Sequence, residues 1–448
     1  MDGTKQKMPS AAKWRKVHTE LERFWQEEGS SGVTSPMHPN CRLAVIIPVY
    51  NEEPATLLRP LFSLASQSGI DFSEVEVIVV VNNSGQEARE KTPAFLANQK
   101  VLEFLKAVTE KKPRGEFLNN FNGEQKKQYA AVIAGGLRVF AVDKSALGLA
   151  EKVNHVAHAR TRGCLEAHHR FFFIGHPDTG LMAFTDADCR FSPNYIGAIL
   201  ETFKQYPFLN GLSGQLKQEA APDLPHGELI REMFHLGQRP IIEPGETTGN
   251  TIKFQRKDKL NRQIINNGCN IAVPVKSWLL CGGIPDRPSA EDYNFGIALS
   301  CLPGDVAVTD RYTVYQGLRI SERAGAGALG RRVKKIHESL KNYLAGHKDK
   351  VLIPDYKQWS VFYKQLADEA RTGNLTGRRV LELMSLFGFD VSGLNPGLLN
   401  KAAKKIMAEL SPQKSELDFL AIEAWILEVF DSRLPMRDAT HLVEKNAR

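Results

Sequence analysis

Two acidic side chains at the end of an apolar run suggest the clearest chemistry in this chain. Asp186 and Asp188 are separated by one residue and follow a run that begins near Gly180. Residues two apart in a β-strand point to the same side, so a strand ending here would direct both carboxylates at one spot. Mg²⁺ and Mn²⁺ prefer such oxygen ligands and complete their shell with substrate phosphates. The spacing therefore predicts a metal–diphosphate site.

Two short β-branched runs supply the elements that would position this site. They occupy residues 42–50 and 75–81, and each ends in polar residues, at Asn51-Glu52 and at Asn82-Asn83. Such runs are typical of buried parallel strands, and the apolar spacing after residue 54 predicts a helix crossing back over the sheet. Open α/β sheets bind ligands at the carboxyl ends of their strands. We therefore expect the two strand ends to line one crevice.

With these motifs the chain resembles the family-2 glycosyltransferases, which use nucleotide sugars and have the GT-A fold. Five motifs in the expected order, from about residue 42 to about residue 299, carry the resemblance. They are Ile47–Glu52, Val79–Ser84, Ala159–Ala167, Phe184–Asp188 with the following Phe191, Ser192, Pro193 and Tyr195, and Gly268–Ala272 with Gly282–Ile284 and Glu291–Asp292. The resemblance implies an α/β fold with a GT-A-like mixed, mostly parallel sheet flanked by helices.

The resemblance also implies a nucleotide-diphosphate sugar as donor and assigns residues to it. Asp186 would meet the ribose and the metal, Asp188 would bind the metal directly, and the cofactor would be Mn²⁺ or Mg²⁺. The remaining nucleotide-sugar-binding residues would be Pro48, Tyr50, Glu52, Asn82, Asn83 and Arg160. Many family members carry an acid where this chain has Asn82 and Asn83, and an amide can both donate to and accept from a base edge. The preferred base therefore stays open, and so does whether Arg160 contacts the phosphates or only braces its helix.

Catalysis is assigned by resemblance to the pair Glu291-Asp292. Asp292 would be the general base that takes the proton of an acceptor hydroxyl in a single displacement with inversion, and Glu291 would orient the acceptor or the base. Acids in the first turn of a helix also stabilise it through the helix dipole, which is the alternative role for this pair. Together these assignments predict a glycosyltransferase, with hexosyl transfer favoured.

Composition agrees with a globular enzyme. Of 448 residues, 42% are hydrophobic and 24% charged, and the net charge is +7. The six scattered cysteines are expected to be reduced and buried. No apolar run approaches the ~18 residues of a membrane span, and the basic N-terminal segment lacks the apolar core of a secretory signal. We expect a cytoplasmic protein that does not bind nucleic acid, since no motif for nucleic-acid recognition is present.

The pattern predicts three regions. Residues 1–40 would form an N-terminal helical arm and linker, 41–325 the GT-A domain with 91–136 as an insertion of lid or binding-loop character, and 326–448 a helical C-terminal region. A basic helix near 329–345 has an apolar stripe of Leu329, Val333, Ile336 and Leu340. Packing of the stripe on the catalytic domain is favoured; peripheral contact with an anionic inner membrane face stays open.

Two other functions stay open at this point. A nucleotidyltransferase also uses strand-borne acids and Mg²⁺, although it would carry a Gly-rich basic turn after the first strand. A non-catalytic sugar- or partner-binding relative is the second. The pattern does not distinguish a glycan, a lipid-linked molecule or a small molecule as acceptor. It also leaves open the sugar, the oligomeric state and whether Arg323 or His337 reaches the site.

Overall fold

The structure is a computed structural model that divides into two compact units. Unit 1 comprises residues 1–217 and 246–316, and unit 2 comprises 218–245 and 317–448. The residues that the structure describes are 16–23, 33, 35–113, 115–149, 155–220, 224–237, 252–254, 268–286, 291–318, 328–355, 358, 361–362, 365–366, 369–370, 372–373, 375–392, 394, 396–409 and 436–446. The three-region division expected from the sequence stays a prediction.

Unit 1 alternates strands and helices in its first half, as the sequence predicts. Its helices are α1 (residues 16–23), α2 (Pro54–Ala65), α3 (Gly85–Glu90), α4 (Pro93–Thr109), α5 (Gly123–Ala134), α6 (Val156–Phe173), α7 (Tyr195–Gln205), α9 (Val275–Leu280) and α10 (Glu291–Ser300). The strands are β1 (Leu43–Val49), β2 (Val75–Asn82), β3 (Arg138–Lys144), β4 (Leu181–Phe184), β5 (Cys189–Phe191), β6 (Leu209–Ala220), β7 (Ile252–Phe254), β8 (Ile271–Pro274) and β9 (Asp305–Leu318).

One mixed sheet organises these strands in the order β3-β2-β1-β4-β8-β6-β9-β5, with β7 paired to β9. The strands β3, β2, β1 and β4 run parallel, and Leu43 lies opposite Val75 on one side and Leu181 on the other. Strand β8 reverses direction against β4, where Ile271 lies opposite Phe184. The carboxyl ends of the parallel strands therefore meet the start of β8 at one edge. This confirms the predicted mixed sheet of an α/β fold.

Strand β1 is central because its side chains are apolar on both faces. Leu43, Val45 and Ile47 pack with helices α2, α4 and α7 on one face, and Ala44 and Ile46 pack with α6 on the other. Burial on both faces is what a parallel strand with helical crossovers requires. Helix layers on both faces leave the strand ends as the place where polar side chains gather.

The segment 91–136 is not the lid or binding loop that its polar composition suggests. It forms α4, a 3₁₀ turn over Glu116–Asn120 and α5. Four aromatic side chains hold it together through edge and tilted contacts, with ring centroids between 5.3 and 6.3 Å apart. They are Phe104, Phe117, Phe121 and Tyr129. Burial of these rings gives the segment a core of its own, which composition alone does not reveal.

Unit 2 contains one helix from inside the predicted catalytic region and the C-terminal elements. They are α8 (Gly227–Gly237), α11 (Ala328–Leu344), β10 (Leu352–Pro354), α12 (Gly377–Leu386), α13 (Pro396–Glu409), β11 (Met436–Asp438) and α14 (Thr440–Asn446). Helices α12 and α13 lie within residues 326–448, which the sequence predicts to be helical. Arg323 lies outside the described residues.

The apolar stripe of α11 packs inside unit 2. Val333, Ile336 and Leu340 are buried in one cluster with Ile230 and Phe234 of α8. These three side chains are therefore not available to a membrane surface, and their partner is α8 rather than the main sheet. Among the described residues, no helix is long and apolar enough to span a bilayer.

The cysteines correct one expectation. All six are free, but only Cys41, Cys164, Cys189 and Cys269 are buried, whereas Cys281 is half-buried and Cys301 is exposed.

Candidate active site

A buried amide joins the ends of β1 and β2. Asn98 of α4 accepts a hydrogen bond of 2.9 Å from the backbone N–H of Asn51 and donates to the carbonyl of Asn82 and to Oδ1 of Asn83, at 2.9 and 3.0 Å. Asn98 is fully buried. It thus fixes the polar turns after both strands, although it contributes nothing to the sequence motifs. The only signal for it in the sequence is a polar residue on the apolar face of α4.

The two asparagines at the end of β2 differ in their hydrogen bonds. Asn83 Nδ2 donates to the carbonyls of Ser84 and Ser145, both at 3.0 Å, while its Oδ1 accepts from Asn98. Its side chain is therefore committed to the protein. Asn82 is 2% exposed, and within the described part of the chain its buried Nδ2 has no hydrogen-bond partner. Of the two residues, Asn82 is the one with a donor left for a ligand.

The exit of β1 carries the other residues predicted for the nucleotide pocket. Tyr50 donates a 2.5 Å hydrogen bond from its hydroxyl to Glu87, which in turn caps the start of α3 through Ser84. Pro48 is half-buried in β1, and Glu52 is 4% exposed at the following turn. The structure therefore brings the ends of β1 and β2 together, and Glu87 is a positioning residue that sequence reasoning missed.

Asp186 and Asp188 lie in a turn, not in a strand. Strand β4 ends at Phe184, and the backbone N–H of Cys189 donates to the carbonyl of Asp186 at 3.2 Å. The strand alternation expected for these two residues therefore does not apply, because the chain must reverse here to enter β5. Asp186 keeps 30% of its side chain exposed, whereas Asp188 is 8% exposed.

The charges of Asp186 and Asp188 both affect the pKa of the buried thiol of Cys269. Its pKa is raised well above the ordinary value by a hydrogen bond with Cys189, by burial and by the negative charges of Cys189, Asp186 and Asp188. Both carboxylates therefore lie close enough to Cys269, two positions before β8, to act on its pKa.

Arg160 bridges the two acidic motifs. From the second turn of α6, its guanidinium donates to Oε1 of Glu291 at 2.5 Å and to Oδ1 of Asp186 at 2.7 Å. The side chain is almost fully buried. Burial lowers the pKa of Arg160, but the charges of Asp186, Glu291 and Asp292 together raise it above the ordinary value. The guanidinium therefore stays positive and compensates acids from two distant segments.

The carboxylate of Asp292 is held by the backbone just before β8. The backbone N–H of Gly268 donates to its Oδ2 at 2.8 Å. Gly268 also lies so close to the bridge that a Cβ atom there would come within 2.6 Å of Arg160 Nη1. The close approach explains the glycine, and it makes Gly268 a second positioning residue that the motifs did not assign. Gln316 of β9 is a third, since its amide donates to Asp186 Oδ2 at 3.4 Å.

Burial changes the protonation of Glu291. The loss of solvent and the charge of Asp292 raise its pKa to about 7, although Arg160 pulls it down. As predicted, Glu291 and Asp292 open a helix, α10. Their side chains are tied to Arg160 and Gly268, so stabilising the helix dipole is not their only role.

The predicted residues thus fall into two groups within unit 1. One group lies at the ends of β1 and β2. In the other, Arg160 is hydrogen-bonded to Asp186 and Glu291, and the next residue, Asp292, accepts from the backbone of Gly268. His337 lies on α11 in unit 2.

One family model matches part of the chain. Residues 44–106 match the family model described as Glycosyl transferase family 2. No curated protein matches.

Among solved structures, S. aureus TarS is 15% identical over 67% of this chain and 40% of its own, with a TM-score of 0.34. S. aureus TarS 1-349 in complex with UDP-GlcNAc is 16% identical over 67% and 66%, with a TM-score of 0.35. GalNAc-T7 with UDP, GalNAc and Mn²⁺ is 11% identical over 76% and 60%, with a TM-score of 0.34. This chain therefore spans less than two thirds of these structures. Because the scores are low, we draw no conclusion from them.

The matched segment contains β1, its polar exit, β2 and most of α4, which are the elements that Asn98 joins. This match also extends into the segment that composition had set apart as an insertion. Residues 44–106 of this chain are therefore similar to glycosyl transferase family 2.

Proposed function

We propose that this glycosyltransferase moves a sugar from a nucleotide-diphosphate donor to an acceptor hydroxyl, with a divalent metal and with inversion at the anomeric carbon. The observation that carries the proposal is the double hydrogen bond of Arg160, which joins Asp186 of the Asp-x-Asp turn to Glu291 of the Glu-Asp pair. The Arg160 guanidinium therefore connects the acid proposed to act at the leaving group, Asp186, with the pair proposed to act on the attacking hydroxyl.

The nucleotide would bind at the ends of β1 and β2. Asn82 supplies an amide donor that has no partner among the described residues, and Tyr50, Pro48 and Glu52 would supply the wall beside it. A buried donor without a partner is costly, so a base edge that accepts from Asn82 would recover that hydrogen bond. Asn83 keeps the turn in shape but has no free amide hydrogen to offer.

The acids of the turn fit a hard divalent cation. Asp188 and the exposed side of Asp186 present carboxylate oxygens, which Mn²⁺ and Mg²⁺ prefer. When bound, the cation would neutralise the diphosphate and stabilise the charge on the leaving group. Arg160 holds one oxygen of Asp186 in place, and we assign it this positioning role instead of direct phosphate contact.

Asp292 would take the proton from the acceptor. Its Oδ2 is occupied by the Gly268 N–H, which fixes the carboxylate, and the side chain is partly exposed. A carboxylate held in one orientation beside the reaction centre suits general-base catalysis. Glu291, with its pKa near 7, would orient the acceptor or Asp292. The acceptor class, whether glycan, lipid-linked or small molecule, is left to experiment.

The proposal is tested by donor binding followed by hydrolysis. Thermal shifts with UDP-, GDP- and dTDP-sugars should depend on Mn²⁺ or Mg²⁺ and vanish with a chelator, because ligand binding raises apparent stability. A CMP-sugar, which has a single phosphate, is the matched control. NMR of the first sugar released by water from an α-linked donor should show the β-anomer.

Three results would contradict the proposal. Release of an α-sugar would reject inversion, and full activity in chelator would reject the metal. Release of pyrophosphate from a nucleoside triphosphate and a sugar phosphate, without any donor hydrolysis, would favour nucleotidyl transfer instead.

A further inference from the structure

Three side chains near the start of α6 form a cluster that the proposed reaction does not use. His155 is the N-cap residue of α6, His158 lies three positions later, and Asp286 belongs to the chain that leads to α10. His158 Nε2 is 2.6 Å from Asp286 Oδ1, and His155 Nδ1 is 4.0 Å from the same oxygen. One ligand atom from each residue lies within 4.8 Å of the others.

The hydrogen bonds of the cluster are incomplete. His155 Nδ1 is buried, and among the described residues it has no hydrogen-bond partner; its side chain makes no capping bond to α6 either. The two imidazole rings are tilted by 42° to each other, with their centroids 5.6 Å apart. A buried imidazole nitrogen that carries no hydrogen has a lone pair, and this lone pair needs a hydrogen-bond donor or a metal ion as its partner. A metal cation is such a partner.

We propose that His155, His158 and Asp286 bind a divalent transition metal, with Zn²⁺ as the favoured ion. Two imidazole nitrogens and one carboxylate oxygen suit Zn²⁺, Co²⁺ or Ni²⁺ better than Mg²⁺ or Mn²⁺. Three protein ligands leave one position of a tetrahedral site for water. With bonds of about 2.0 Å, neighbouring ligands of a tetrahedral site lie about 3.3 Å apart. The His158–Asp286 contact would therefore open slightly and His155 would close in.

This site is separate from the Asp186-Asp188 turn in chemistry and in residues. It would join the first turn of α6, where His158 lies two positions before Arg160, to Asp286, which lies five positions before Glu291. Bound metal would thus link two residues that lie close in sequence to the partners of the Arg160–Glu291 hydrogen bond. The inference does not rest on the proposed function, because its readout is metal binding.

The test is calorimetric titration of the full chain with Zn²⁺ after chelation and without nucleotide. The parent protein should bind Zn²⁺ and should gain thermal stability from it. The double variant His155→Ala with His158→Ala should lose both effects. The variant Asp286→Ala, at a side chain that is 70% exposed, should weaken binding without disturbing the core and serves if the double variant fails to fold.

Two controls separate this site from others. Asp188→Ala should bind Zn²⁺ like the parent, since the Asp-x-Asp turn is not involved, and so should His347→Ala, at an exposed histidine of unit 2. Co²⁺ should give visible absorption bands from imidazole ligation in the parent and in both controls but not in the double variant. The inference is overturned if the parent binds no Zn²⁺, or if the cluster variants bind it with unchanged affinity and stoichiometry.

Discussion

The guanidinium of Arg160 donates a hydrogen bond of 2.5 Å to the carboxylate of Glu291, which lies 131 positions later in the chain. This contact ties helix α6 to the first residue of α10. Its second arm reaches Asp186, so the acids that would serve the leaving group and the acceptor are kept in register by one side chain.

Gly268→Ala should impair transfer through this bridge. The new methyl group would lie 2.6 Å from Arg160 Nη1, and the guanidinium has little room to retreat because it is buried between two carboxylates. A displacement of about 1 Å in a catalytic site costs about 10²-fold in rate. Steady-state kinetics should show this loss. Gly123→Ala is the control, since a Cβ there meets nothing within 4 Å; equal rates for the two variants would argue against the positioning role.

Asp188→Ala should weaken binding of a nucleoside diphosphate when Mn²⁺ is present. Without this carboxylate the cation loses a ligand, and affinity should fall by about tenfold or more, equivalent to ~1.4 kcal/mol. Calorimetry with and without chelator measures it. The exposed Asp349→Ala should behave like the parent. If chelator and Asp188→Ala both leave the affinity unchanged, Asp188 does not bind a metal that contacts the nucleotide.

Asp292→Asn should separate binding from chemistry. The amide oxygen can still accept from the Gly268 N–H, so the local structure should persist. An amide cannot take the acceptor proton, and loss of a general base typically costs ~10²- to 10⁴-fold. Donor affinity by thermal shift should match the parent while transfer falls. A variant that transfers sugar at the parent rate would require a different base.

Asn82→Ala should weaken binding of the nucleotide sugar, whereas Asn83→Ala should lower the stability of the protein. The buried Nδ2 of Asn82 has no hydrogen-bond partner in the described part of the chain, so loss of this side chain should reduce affinity for the nucleotide sugar with little change in stability. Asn83 makes three hydrogen bonds within the protein, and its loss should lower the free energy of unfolding by about 1–3 kcal/mol. Urea unfolding and calorimetry on both variants check this. Equal losses of donor affinity would mean that both side chains serve the nucleotide.

Acid should destabilise unit 1 through His168. Its side chain is buried, with its Nε2 2.7 Å from Nδ1 of His18 on helix α1. Burial, together with the charges of His18 and His169, lowers its pKa from 6.5 to about 3. In the unfolded chain His168 is protonated below about pH 6.5, whereas in the folded protein it is protonated only below about pH 3. Stability from this group is complete above pH 6.5 and is lost as the pH falls, by at most about 1.4 kcal/mol per pH unit.

Urea unfolding at pH 7 and pH 5 measures this dependence. His168→Gln should flatten the slope between the two pH values, whereas the exposed His347→Gln should leave it unchanged. A parent-like slope in His168→Gln would assign the pH dependence to other groups.

Local sequence patterns were sufficient to predict the strands and helices around the site. Apolar, β-branched runs predicted β1 and β2, and the acids after residue 290 predicted the start of α10. These features depend on neighbours in sequence, because hydrogen bonding within a helix, side-chain alternation along a strand and turn chemistry act over a few residues. The motif residues could therefore be named without coordinates, although the turn that carries Asp186 and Asp188 could not be told from the end of a strand.

Only the tertiary structure decided which of these residues act on one another. The hydrogen bonds from Arg160 to Glu291 and from Asn98 to Asn51 and Asn82 join segments that topology brings together, and nothing in either segment specifies the partner. The same is true of α8, which lies in the middle of the chain yet packs its apolar face against α11. Long-range pairing follows from the burial of whole faces and the strand order of the sheet, so a single side chain carries too little information to predict it.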